Sequence, residues 1–145
     1  QWPPAGVEPS PLLMPSLTVV LLLVSCGTMR WGGIAINREK YTQFVVAMFS
    51  SVALALAVLA LRWIQFQDLD FRWDEHAYGS VVWTIMGFHF LHVLLGLVIL
   101  GWMAERCRRR AYSAQDCAGL ESGVLYWHMV DMVWVLLFPL VYVIN

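Results

Sequence analysis

Three histidines and one aspartate stand inside apolar stretches and are the side chains best able to do chemistry. His89 and His92 are three residues apart in "GFHFLHVLLG", and His128 and Asp131 have the same spacing in "YWHMVDMVW". Residues three apart share a helix face, so the members of each pair can act together. An ionisable side chain at the centre of a membrane helix costs roughly 2.5 to 3.5 kcal/mol on insertion, so these residues indicate a site or an interface.

Two kinds of role fit these four residues. His89 and His92 could bind a metal or haem, or the four residues could relay protons as acid and histidine chains do in pumps. Alternatively, they form a buried hydrogen-bonded cluster that fixes the register of neighbouring helices. A di-iron bundle would need Glu-x-x-His motifs on two helices and glutamates on two others, which this sequence lacks. We therefore predict a structural polar cluster of His89, His92, His128 and Asp131, with no catalytic residue and no metal ligand in this chain.

The composition indicates that membrane helices carry these residues. Of the 145 residues, 60% are hydrophobic and 13% are charged, whereas soluble domains have about 45 to 50% apolar and 25% charged residues. A helix needs about 20 apolar residues to span a bilayer. Four stretches qualify: 12–29, 44–64, 78–103 and 123–144. The sequence predicts an all-α membrane protein in which 1–145 form a single transmembrane domain, a bundle of four helices.

The charges of the loops predict how the bundle is oriented. Seven of the nine basic residues fall in the first and third loops: Arg30, Arg38, Lys40, Arg106, Arg108, Arg109 and Arg110. The positive-inside rule assigns these loops to the cytoplasm or mitochondrial matrix, so both termini are predicted on the outer side. Near the end of the second span, we expect Arg62 to extend its side chain outward and Gln65 to lie where water is available.

Aromatic residues near the span ends predict interfacial belts. They are Trp2, Trp31, Trp63, Trp73, Trp102, Tyr126, Trp127 and Tyr142. Gly87 and Gly96 flank the histidine pair and favour the close approach of another helix. The three cysteines have spacings that indicate neither a disulfide framework nor a zinc site.

Four stretches resemble, in order, subunit III of the haem-copper oxidases, the cytochrome c oxidase family. They are "WPPAGVEP", "YGSVVWTIMGFHFLHVLLG", "GLESGVLYWH" and "YWHMVDMVW". The resemblance covers nearly the whole chain and corresponds to the last four helices of the family. It implies a non-catalytic subunit that packs against catalytic subunit I and other oxidase subunits, with haem and copper in the partner. The expected location is a bacterial or mitochondrial inner membrane, and nucleic acid is not an expected partner.

The resemblance also implies that the subunit binds phospholipid. Arg106 and Leu120 stand at positions where the family uses a basic and an apolar residue near a lipid. Without the resemblance, Arg106 has two interpretations. Basic side chains at this surface either only determine the orientation of the protein in the membrane or also bind anionic lipid headgroups. Family members have further helices upstream, which we expect either on a separate polypeptide or lost.

Two other functions stay open from the sequence. A subunit III-like protein of a quinol oxidase or nitric oxide reductase would have the same supporting role beside a different partner. A small haem-binding or transport protein of four helices would use His89, His92 and His128 directly. Transport is disfavoured because the sequence predicts no discontinuous helix and no inverted repeat.

Overall fold

The computed structural model describes residues 12–70, 72–113 and 115–143. Within these ranges the chain forms four helices: α1 (Leu13–Asn37), α2 (Tyr41–Gln67), α3 (Ala77–Arg108) and α4 (Ala118–Tyr142). All four are long and apolar enough to cross a membrane, and the described residues contain no strand. The prediction of an all-α membrane protein with four spanning helices is confirmed, whereas the stretch "WPPAGVEP" lies outside the described residues.

The first helix extends further than the sequence indicated. The stretch from Arg30 to Ile36, predicted as loop, continues α1, and Ala35 and Ile36 are buried. Gly32 allows this part of α1 to pack closely on α2, because a Cβ atom there would lie only 3.2 Å from the Cβ of Ala47. Residues 38–40 then form the whole connection to α2, with Glu39 at a φ of 58°. The basic residues of this region are therefore divided between the end of α1 and a short turn.

The four helices form a closed ring in chain order. Each helix packs against the next, and α4 returns to pack against α1. This arrangement places the connections 38–40 and 109–117 at one end of the bundle and 68–76 at the other. The first and third loops therefore lie at the same end of the bundle, as the charge pattern predicted. The position of both termini on the outer side of the membrane stays a prediction.

Close contact between α3 and α4 depends on Gly96. A Cβ atom at this position would lie 2.9 Å from the ring of Trp127, and Trp127 is fully buried. The glycine therefore allows the tryptophan ring to lie against the backbone of α3, as the small-residue pattern predicted for this position. Gly87 shows only an ordinary contact, since a Cβ there would lie 3.9 Å from Phe66.

The aromatic residues divide between the exposed surface and the core of the bundle. Trp63, Trp73 and Trp102 are exposed, as expected for residues of interfacial belts. The same prediction is wrong for Trp127, which has no exposed surface. Its indole N–H donates to the hydroxyl of Ser25 on α1 over 2.8 Å. This bond gives the indole the partner that a buried N–H needs and connects α4 to α1.

Candidate functional site

His89 lies in the interior of the bundle, facing α4. Its side chain is buried, and Nε2 lies 3.4 Å from the backbone carbonyl oxygen of Val130. The imidazole also packs on the ring of Trp134, with 4.7 Å between the ring centroids. Its Nδ1 has no hydrogen-bond partner in the described part of the chain. His89 therefore joins α3 to α4 through one nitrogen and leaves the other free.

Asp131 is buried on α4 and is bound by α1. The thiol of Cys26 donates a hydrogen bond to Oδ2 of Asp131. The second oxygen, Oδ1, has no hydrogen-bond partner among the described residues. The aspartate therefore fixes the position of α4 relative to α1 through a cysteine for which the sequence suggested no role.

His92 and His128 occupy two different surfaces. Nδ1 of His92, which is exposed, bonds to the carbonyl oxygen of Phe88 on its own helix over 2.6 Å. His128 is half-buried, and its Nδ1 has no hydrogen-bond partner within the ranges described. The hydrogen bonds observed in those ranges do not join any two of the four predicted cluster residues. A continuous hydrogen-bonded relay through the four is therefore not what this geometry supports.

Arg62 on α2 lies in the interior of the bundle. Its side chain has no exposed surface, so the expectation that it extends outward is wrong. One Nη nitrogen donates to Oε1 of Gln65 over 2.7 Å, and the guanidinium carbon lies 3.3 Å from the ring centroid of Trp134. A cation over the face of a tryptophan is attracted by the ring quadrupole, by about 2 kcal/mol when both groups are desolvated.

Gln65 extends this contact to the first helix. It is also buried, contrary to the expectation that water surrounds it. Its amide nitrogen donates to the hydroxyl of Thr18 over 2.9 Å, and that hydroxyl donates to the carbonyl of Met14. Arg62 and Gln65 on α2 therefore connect to Thr18 on α1 and to Trp134 on α4. Three helices meet around one buried cation.

Only part of the guanidinium of Arg62 forms hydrogen bonds. Nε and the second Nη of Arg62 have no hydrogen-bond partner among the described residues, and the same holds for Nε1 of Trp134. Breaking a contact of a buried charge is costly because water cannot replace it. The arginine therefore makes the relative positions of α1, α2 and α4 sensitive to any change at Trp134.

Arg106 lies in the last turn of α3, close to two aromatic rings. Its guanidinium carbon is 5.0 Å from the ring centroid of Trp102 and 5.4 Å from that of Tyr112. Tyr112 packs edge-on against Phe44 of the core, and burial raises the pKa of its hydroxyl above the ordinary value. The phenol therefore stays neutral beside the exposed guanidinium, whose charge remains available to an anion.

Leu120 lies in a different place from Arg106. It is buried near the start of α4 and lines a groove of about 470 Å³ between α1 and α4. Arg30, Glu121 and His128 line the same groove, together with apolar side chains. Arg106 is not among the residues that line this groove. Arg106 and Leu120 occupy neighbouring regions at the same end of the bundle.

The described residues do not bring together three histidine, cysteine, aspartate or glutamate side chains that could hold a metal ion. Two of the predicted site residues, His89 and Asp131, contribute to the bundle interior instead, together with Arg62 and Trp134. All four contact residues of a neighbouring helix.

Comparison with known proteins gives the family. The family model described as cytochrome c oxidase subunit III matches residues 1–145, the whole chain. The chain belongs to the cytochrome c oxidase subunit III family. It is a multi-pass membrane protein, and the resemblance seen in its sequence motifs is confirmed.

The curated relatives carry the same description. Cytochrome c oxidase subunit 3 of Strongylocentrotus purpuratus is 35% identical over 142 residues, covering 97% of this chain and 55% of that protein. The subunit of Aedes aegypti is 32% identical, with 97% and 54% covered. The subunit of Struthio camelus is 31% identical, with 98% and 55% covered. The subunit III chain therefore spans about half the length of the curated relatives it matches.

Proposed function

We propose that this chain is a non-catalytic, structural subunit of a terminal respiratory cytochrome c oxidase. It packs against catalytic subunit I, which carries haem and copper, and supports oxygen reduction and proton pumping there. The observation that carries the proposal is the family match over the whole chain. The geometry supports it, because His89, Asp131 and Arg62 all contact neighbouring helices of the bundle. The proposed location is a bacterial or mitochondrial inner membrane.

Purification through a tag on this chain tests the proposal. In mild detergent, we expect a haem- and copper-containing catalytic subunit to co-purify, together with other oxidase subunits. Optical spectra of the purified material should show haem, and the haem should stay with the catalytic subunit when this chain is dissociated. Haem that stays with the dissociated chain would instead favour a haem-binding four-helix protein. A catalytic partner without copper would favour a nitric oxide reductase.

We further propose that the subunit holds phospholipid at its inner end. Arg106 supplies the charge, because its guanidinium is exposed and held between Trp102 and Tyr112 at the membrane surface. Basic residues at this surface attract anionic phosphates by about 1 kcal/mol each. Leu120 contributes to the neighbouring groove between α1 and α4, whose apolar floor suits an acyl chain.

Replacing Arg106 by alanine is expected to reduce the phospholipid retained by the purified complex. A loss of about 1 kcal/mol corresponds to roughly fivefold weaker binding of the lipid at this position. Lipid can be quantified by mass spectrometry after extensive detergent washing. Arg109→Ala is the matched control, because the guanidinium of Arg109 already pairs with Glu105 at 2.7 Å. Equal lipid loss in both variants would show that Arg106 acts only through general surface charge.

A further inference from the structure

A groove of about 330 Å³ runs between α3 and α4 on the membrane-facing side of the bundle. It begins next to His92 and extends along α3 to Thr84 and along α4 to Leu137. Most of its lining is apolar, and Phe88 is 61% exposed. Two of the lining side chains are nevertheless imidazoles, those of His89 and His92. An apolar groove lined by two polar rings differs from a plain lipid-facing surface.

The hydrogen bond of His92 fixes which of its nitrogens can bind a partner. Nδ1 lies 2.6 Å from the carbonyl oxygen of Phe88, and a carbonyl oxygen accepts only from an N–H. In the neutral ring the proton is therefore on Nδ1, and Nε2 is an acceptor with a free lone pair. His89 repeats this pattern, since Nε2 faces the carbonyl of Val130 and Nδ1 has no partner in the described ranges. In each histidine, one ring nitrogen donates to a carbonyl oxygen and the other is an acceptor to which no described residue donates.

The depth of His92 excludes water and lipid headgroups as its donor. His92 lies near the middle of α3, a helix of 32 residues. At 1.5 Å per residue it is about 22 Å or more from either end of the helix. The hydrocarbon core is about 30 Å thick, so this residue lies near its centre, where acyl chains offer no hydrogen-bond donor. An exposed acceptor at this depth needs a protein partner.

The groove itself does not supply the donor. Thr84 lines it, but its hydroxyl already donates to the carbonyl of Ser80 over 2.7 Å. The hydroxyl of Tyr126, close to His92, donates to the backbone carbonyl of His92 over 3.2 Å. A second copy of this chain with its groove against this one offers no donor either, because both grooves are lined by the same residues.

We propose that the groove between α3 and α4 seats a transmembrane helix of another oxidase subunit, which donates a hydrogen bond from a hydroxyl or indole group to Nε2 of His92. Apolar side chains of that helix fill the space beside Phe88, Met129 and Val133. Hydrogen bonds between membrane helices hold subunits in register, because the alternative is an unsatisfied polar group in hydrocarbon. This inference rests on the proposed function, since the partner is a subunit of the same complex.

Photocrosslinking in the assembled complex tests the position of the partner helix. The photoreactive residue p-benzoylphenylalanine replaces Phe88 in one variant and Phe49, which is 45% exposed on α2, in the control. After illumination, we expect position 88 to crosslink to a membrane helix of another oxidase subunit, and position 49 not to crosslink to that helix. Crosslinking of position 88 only to phospholipid, or to a second copy of this chain, would overturn the inference.

Substitution of His92 tests the hydrogen bond. His92→Leu is expected to weaken retention of the chain in the complex by about two- to tenfold, the equivalent of one buried hydrogen bond. His92→Gln, whose carbonyl oxygen can accept the same bond, should restore most of the retention. Leu91→Ala, at an exposed position of α3 that does not line the groove, should leave it unchanged. Equal retention in the leucine and glutamine variants would contradict the donor assignment.

The two proposals fail in different ways. If the tagged chain purifies without any oxidase subunit, both the proposed function and the docking of the helix are wrong. If it purifies with the oxidase but position 88 crosslinks only to lipid, only the docking inference is wrong.

Discussion

Replacing Trp134 by alanine is expected to lower the free energy of unfolding of the bundle by roughly 4 kcal/mol. Trp134 is fully buried on α4 and lies under the guanidinium of Arg62 and beside His89. Loss of a desolvated cation–π contact accounts for about 2 kcal/mol. The cavity left by the indole adds a comparable packing loss. Denaturation of the detergent-solubilised chain, followed by circular dichroism, measures the change.

A double-mutant cycle separates the two contributions. If the contact with the cation matters, Trp134→Ala should cost about 2 kcal/mol less in a chain that already carries Arg62→Met. Trp31→Ala is the control for the loss of an indole, because Trp31 is exposed, and it should change stability by less than about 0.5 kcal/mol. Equal costs of Trp134→Ala with and without the arginine would mean that the tryptophan only fills space.

Replacing Gly96 by alanine is expected to destabilise the bundle by about 1 to 3 kcal/mol, the usual cost of overpacking a core. The new methyl group would lie 2.9 Å from the ring of Trp127. That ring cannot move away easily, since it is fully buried and its N–H is bonded to Ser25. Gly96→Val should cost more, because its larger side chain must displace the ring further.

Gly101 provides the matched control on the same helix. A Cβ atom there meets no heavy atom within 4 Å, so Gly101→Ala should be neutral or stabilising by up to about 1 kcal/mol through helix propensity. The same unfolding measurement applies to both variants. If the two alanine substitutions had the same effect, the close approach of α3 and α4 at Gly96 would not limit the packing.

The sequence was sufficient to predict four spanning helices, because membrane insertion requires about 20 consecutive apolar residues and such stretches can be counted directly. It predicted the helix ends less well. The stretch containing Arg30 and Gly32 has polar and small residues typical of a turn, yet it continues α1, and Gly32 packs against Ala47 of α2. Such a contact depends on a second helix, so it is not visible in the local pattern.

The sequence also identified Gly96 and the motifs that give the family, since both depend on residue type and order alone. Three-residue spacing placed His89 and His92 on one side of α3, but spacing does not give the angle at which that side meets its neighbours. In the structure His89 faces the interior and His92 faces outward. The difference follows from the rotation of α3, which is set by packing against α2 and α4.

Arg62 shows most clearly what only the tertiary structure decided. A lone cation near the end of an apolar stretch is ordinarily expected to reach the membrane surface with its long side chain. Here Arg62 continues the buried stripe of α2 formed by Ala47, Ser51, Ala55 and Val58. The guanidinium points inward because its partners lie there. Gln65 connects it to Thr18 on α1, and the ring of Trp134 on α4 lies against it. The sequence alone determined the helices and the family, and the packing of distant segments decided which polar groups meet, because those contacts join residues far apart in the chain.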